Sequence, residues 1–226
     1  MSLRAAVPLY QFRGSVLTSA PASEPVTAAE LRTHLRTDST ELPDAEANTL
    51  ITDARTEIEN MTGLAFITQS WRLSLDRWPA GGEAWWDGVR EMSITELART
   101  STIQSLVIPR WPLQSITSVT VYDEGSNATA VTVANVFDID IYQTPGRLTL
   151  KRGQTWPVAL RANNAIQIIY VSGFANAAAV PSPMKRAVKQ LAAFLYSNRG
   201  DDCDASDAYD ASGASVIMAQ YKAMKI

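Results

Sequence analysis

The chain is poor in the residues on which most enzyme and metal chemistry is built. Its 226 residues include one cysteine, Cys203, and one histidine, His34. A single thiol rules out an internal disulfide and fits a reducing compartment. One histidine and one cysteine cannot furnish a common structural zinc site, which takes four N or S ligands. Triad chemistry with a histidine base would have to use His34, and neither a GxSxG elbow nor a Cys/His pair with an orienting partner accompanies it. No glycine-rich loop leads from a strand into a helix to cradle phosphate. No apolar run approaches the ~20 residues that span a bilayer. The start of the chain lacks a signal-peptide apolar core, so residence in the cytoplasm after synthesis is expected. A net charge of −3 lacks the positive balance of a general nucleic-acid binder.

What is present is a pattern of helices at both ends with strands between. The clearest element is SPMKRAVKQLAAFLYSNRG, residues 182–200. Ser182 suits an N-cap and Pro183 a first helical position, where no N–H is needed. Met184, Ala187, Val188, Leu191, Ala192 and Leu195 recur at spacings of three and four, one apolar stripe, and Gly200 can end the helix. Near the other end, Thr27 and Glu30 form a capping box ahead of Leu31 and Leu35. A second helix is expected from Pro43 to about Thr62, with Ala47, Leu50, Ile51, Ala54, Ile58 and Met61 inward and Gly63 as its stop. Asp53, Arg55, Glu57 and Glu59 are expected on its solvated flanks rather than as paired catalytic carboxylates.

From Phe66 the period shortens to two. Trp71, Leu73 and Leu75 alternate with polar residues, and strands follow at 103–108, 116–122, 129–133, 137–141, 147–151 and 165–171. The fold class expected is α+β: a small helical bundle built from both ends of the chain, with an inserted antiparallel β module. The expected organisation is an extended arm at 1–24 and a bundle from 25–64 together with 180–200. The β module covers 65–175 and carries a long loop at 80–102. An acidic loop at 201–212 and a terminal segment at 213–226 complete the chain.

The acidic stretch DDCDASDAYD does not read as a calcium loop. Counting from Asp202, the positions that need Gly and Glu hold Asp207 and Gly213. The six tryptophans, at 71, 78, 85, 86, 111 and 156, could stack on sugars, but large amphipathic rings more often anchor cores and interfaces. The last stretch is too short to be a stable helix alone and too apolar for a solvated tail. Val216, Ile217, Met218, Tyr221, Met224 and Ile226 either return to their own domain or dock in a partner's groove. Neither cofactor nor metal is implied, and no catalytic constellation emerges.

Four segments in order resemble one known family. They are PVTAAELRTHLRTD (25–38), LITDARTEIENMTGLAFITQSWRLSLDRWP (50–79), IPRWPLQSITSVTVYD (108–123) and VSGFANAAAVPSPMKRAVKQLAAFLYSNR (171–199). The TGLAFITQSW step from helix to strand, the PRWPLQSITSV bend and the VPSP opening of a helix that ends in YSNR carry the likeness. The chain thereby resembles the head–tail connector proteins of tailed bacteriophages and gene transfer agents, also called adaptor or head-completion proteins.

The resemblance covers about residues 25–199. It implies a non-enzymatic virion protein located in the neck and assembled in the host cytoplasm. Such a protein forms a ring, usually of twelve, beneath the portal, where it extends the DNA channel and offers a platform for the tail. The implied partners are the portal protein, neighbouring copies, a downstream stopper protein and DNA that passes without sequence-specific binding; no membrane is implied. It also implies that the terminal segment reaches the portal, through Val216, Ile217, Met218, Tyr221, Met224 and Ile226. The alternatives are another neck component, such as a stopper or tail terminator, or a carbohydrate-binding or hydrolytic module that uses the tryptophan-rich loop.

Overall fold

The computed structural model describes residues 13–78, 105–151, 153–199 and 205–221. The expected loop at 80–102 lies outside them. The chain divides into a helical unit, residues 20–69, 110–112 and 172 onward, and a β unit that takes in 13–19, 70–109 and 113–171.

The helical unit is built on α1 (Ala28–Leu35), α2 (Asp44–Thr62) and α4 (Ser182–Ser197). Helices from the two ends of the chain share one core. Leu31, Ala47, Ile51, Ala54 and Ile58 meet Met184, Ala187, Val188, Leu191 and Ala192 there. These are the stripes that the spacing marks out, except that Met61, expected inward, is 44% exposed in the last turn of α2. The α1 capping box is in place, with the Glu30 amide donating to Thr27 Oγ1 at 3.2 Å and the Thr27 amide to Glu30 Oε2 at 2.8 Å. Gly63 ends α2 in the left-handed region, φ 73°. At α4 the sequence reading is corrected by one position. Pro181 is the N-cap, Ser182 is already helical, and no side chain caps the first turn.

Two further helices complete this unit. α5 (Ala205–Ala211) forms where an acidic loop is expected, and α6 (Ala214–Met218) follows Gly213, which sits at φ 75°. Ala208 and Tyr209 of α5 are buried, as are Ala214, Ile217 and Met218 of α6. Aspartates hid the α5 helix because its inward residues are few and one of them is alanine.

The β unit holds a five-stranded sheet, in order β1 (Arg13–Ser19), β2 (Gln69–Leu75), β8 (Ile166–Ser172), β4 (Leu113–Tyr122) and β5 (Ala128–Val131). A three-stranded sheet contains β3 (Ser105–Val107), β7 (Arg147–Leu150) and β6 (Phe137–Asp140) in that order. A single helical turn, α3 (Val133–Val136), follows β5. Trp71, Leu73 and Leu75 from β2 and Ile166, Ile168 and Tyr170 from β8 alternate inward. They share a core with Leu106, Val119, Val121, Phe137, Leu148 and Leu150. The class is α+β, with antiparallel pairing at β1–β2, β4–β5, β3–β7 and β6–β7.

β1 departs from the expected arm. Residues 13–19 pair with β2 of the same chain, and the next residues join the helical unit through Val26, which is buried, and Glu24. Periodicity could not reveal β1, because every residue from Gly14 to Ser19 is exposed and the strand has no inward face to write into the sequence.

Candidate functional site

Two of the motifs behind the family resemblance, the TG step after α2 and the PRWP bend, meet at one place in the helical unit. An α-helix ends with carbonyls that have no partner in their own helix. The PRWP bend supplies partners for those of α2. Arg110 Nη1 donates to Glu59 O at 2.5 Å, Trp111 Nε1 to Thr62 O at 3.3 Å, and the Trp111 amide to Gly63 O at 3.2 Å. Ala65 returns a bond to Trp111 O at 2.8 Å. The VSGF segment joins from the other side. Ser172 Oγ donates to Arg110 O, the Gly173 amide to Pro112 O, and the Thr68 amide to Phe174 O at 2.9 Å.

Gly173 is required in this junction. It sits at φ 113°, and a Cβ there would lie 2.3 Å from Ile67 O and 2.5 Å from Ile67 C, both backbone atoms that cannot yield. Gly173→Ala is expected to cost about 2–4 kcal/mol, from backbone strain plus overlap. A urea melt followed by circular dichroism checks it, and an unchanged midpoint would mean the junction tolerates displacement.

Beside the junction lies a buried polar network that the sequence reading placed in solvent. Arg55 and Glu59 are buried within α2, not on a solvated flank. Arg55 Nη1 meets Glu59 Oε2 at 2.7 Å, and Arg55 Nε meets Glu24 Oε2 at 2.7 Å. Glu59 Oε1 accepts from the Phe66 amide at 2.8 Å and from Gln69 Nε2 at 2.9 Å. Burial pushes the Glu59 carboxyl above its ordinary range, against the pull of Arg55, the Phe66 amide and Gln69. Segments distant in sequence, Glu24 and 66–69, bring the cover that turns these polar residues inward. Every oxygen of Glu59 is thus used in structure, which leaves a holding role rather than proton transfer. Asp53 stays exposed.

Other chemistry-bearing residues are dispersed. His34 is exposed and lines a groove of about 300 Å³ with Gln190, Phe194, Asn198 and Ser212. Burial pushes the Glu57 carboxyl and the Tyr209 phenol up, the latter helped by Asp210 and Glu57. No group of His, Cys, Asp and Glu among the described residues could hold a metal ion, and no described helix is long and apolar enough to cross a membrane. Trp71, Trp78 and Trp111 are buried. Trp78, Phe137 and Trp156 form an aromatic cluster with centroids 5.2–6.0 Å apart, inside or against the β core. Trp85 and Trp86 lie outside the described residues, so the tryptophans that are described anchor cores instead of offering open faces to a sugar.

The residues assigned to portal docking are split. Ile217 and Met218 face their own helical core and are buried there. Val216 is 73% exposed, and Tyr221 rests partly buried against the core. Met224 and Ile226 lie outside the described residues. Spacing alone gave α6 one apolar face; the helices packed around it decide what that face touches.

The described residues therefore define an α+β molecule of packing faces and strand edges, without an assembled catalytic cluster. Three solved structures share this fold over nearly the whole chain. A chain from the neck of an empty gene transfer agent (GTA) particle, computed with C6 symmetry, aligns with TM-score 0.69 and 21% identity, covering 94% of this chain and 97% of that one. A chain from the virion of a native GTA particle gives 0.66 and 22%, over 94% and 96%. A chain from the neck of a native GTA particle, computed with C12 symmetry, gives 0.62 and 20%, over 93% and 97%. No family model and no curated protein matches the chain.

Proposed function

We propose that the protein is a structural neck protein of a tailed particle. In this reading it is a head–tail connector that forms a ring beneath the portal, extends the DNA channel and supports the tail. The observation that carries the reading is the end-to-end fold match to neck chains of GTA particles, which leaves only a small part of either chain unaligned. The dispersed ionisable groups support a role without catalysis. The acidic balance supports passage of DNA rather than its retention, because a basic lumen would hold phosphates tightly at low salt. The partners are the portal protein, neighbouring copies in a ring (twelve in the family that the sequence resembles), a downstream stopper protein and the passing DNA. Assembly takes place in the host cytoplasm, and the finished location is the virion neck.

Docking on the portal falls to what the helical core leaves over: Val216, Tyr221 and the residues through Met224 to Ile226. Burial of an apolar segment in a partner's groove can offset the entropy lost on docking. Light scattering of the purified chain tests the whole proposal. It should be monomeric or weakly associated alone and form a ring when the portal protein is added. A small dimer that ignores the portal would overturn the reading, and a closed ring formed without portal would move the assignment to a stopper or terminator.

A further inference from the structure

The five-stranded sheet ends in β1 on one side and β5 on the other, and among the described residues neither has a strand on its outer side. β1 is the unusual one. Ordering seven residues costs backbone entropy, yet β1 buries neither face among its described side chains. Val16 is 50% exposed and Leu17 41%, and the site of a Cβ on Gly14 meets open space. Natural sheets blunt such edges with proline, lysine or inward-pointing charge. Gly14 to Ser19 contains none of these, nor does Ala128 to Val131. The register shift between Leu17 and Ser19 leaves Arg13–Leu17 as the regular part of the edge.

The direction of the two edges follows from the sheet. β1 is antiparallel to β2, and β5 to β4. The Asn164 amide reaches Asp76 just past the end of β2, and the Tyr122 amide at the end of β4 reaches Ala165 just before β8. β8 therefore starts where both β2 and β4 finish and is antiparallel to each. With five alternating strands, β1 and β5 point the same way.

We propose that β1 of one copy adds in parallel to β5 of the next, so that the sheet continues from subunit to subunit around the ring; this rests on the ring reading above. The occupant of each edge is a second copy of this chain. Pairing β1 with β1 about a twofold axis would stop at a dimer and leave β5 open. Head-to-tail pairing uses both edges and closes on itself under a repeated rotation. The parallel sense brings the start of β1 to the start of β5.

The test is thiol cross-linking of the full chain with Cys203→Ser, which removes the native thiol. Ser15→Cys marks one edge and Ala130→Cys the other, and both native residues are exposed. A short bismaleimide is added at high protein concentration, with and without portal protein. The double variant should give a ladder of dimers, trimers and higher species; the two single variants mixed should stop at dimers, and each alone should give none. Dimers from Ser15→Cys alone would overturn the proposal in favour of twofold pairing. No products at all, even in portal-driven rings, would overturn it too and leave the connector reading standing. The failure of that reading shows separately, as the absence of any ring by light scattering.

Discussion

Leu191→Asp is expected to unfold the helical unit. Leu191 is fully buried among Leu31, Ile51, Ile58 and Val188, where α4 meets the helices from the start of the chain. Truncating such a leucine to alanine costs about 2–5 kcal/mol. A carboxylate in the same place adds the cost of burying an unpaired charge. The sum is comparable to the ~5–15 kcal/mol that hold a typical domain together. Loss of helical circular dichroism at room temperature is the expected result, with Leu191→Ala folded but melting earlier. Val216→Asp, at a position 73% exposed, should melt like the parent. A Leu191→Asp chain that keeps its helices and its melting temperature would show that the two ends of the chain do not share a core.

Removal of everything after Gly213 is expected to destabilise the chain strongly. That deletion takes away Ala214, Ile217 and Met218, all buried in the helical core, and the partial cover from Tyr221. Burial of an isoleucine or methionine side chain contributes about 1.5–3 kcal/mol. The pair alone comes to roughly 3–6 kcal/mol, an upper range because unfolded chains already hide some apolar surface. Of the two outcomes that the sequence left open for this segment, return to its own domain is the one taken by Ile217 and Met218. A second truncation, after Tyr221, separates the two roles of this segment. It spares the buried residues of α6, so its melting temperature should match the parent while portal binding is lost. Differential scanning calorimetry and a portal pull-down on both chains decide the matter. A stable chain lacking 214–226 would remove α6 from the core, and full portal binding by the chain ending at Tyr221 would remove the terminal residues from docking.

Much of the fold was legible because it is written in periods. The stripes of α2 and α4, the capping box of α1, the Gly63 stop and the alternation in β2 and β8 each follow from local geometry. A helix or strand with one buried face must repeat its apolar residues every 3.6 or 2 positions. The family motifs were legible as well, but their meaning was not. PRWP and VSGF stitch the end of α2 to segments far away in the chain, and a motif read in one dimension does not say which distant segment it holds.

What the sequence determined by itself is the α+β class, the placement of its main helices and strands, and the lack of residues for metal or triad chemistry. Those follow from composition and from neighbours within a few residues. Tertiary structure alone decided that Arg55 and Glu59 lie inside, that the tail splits into buried Ile217 and Met218 and exposed Val216, and that β1 forms a bare sheet edge. Each of these depends on which distant segment covers a given face. Coverage is a property of the folded chain, and an edge strand that buries nothing leaves no periodic trace in its own residues.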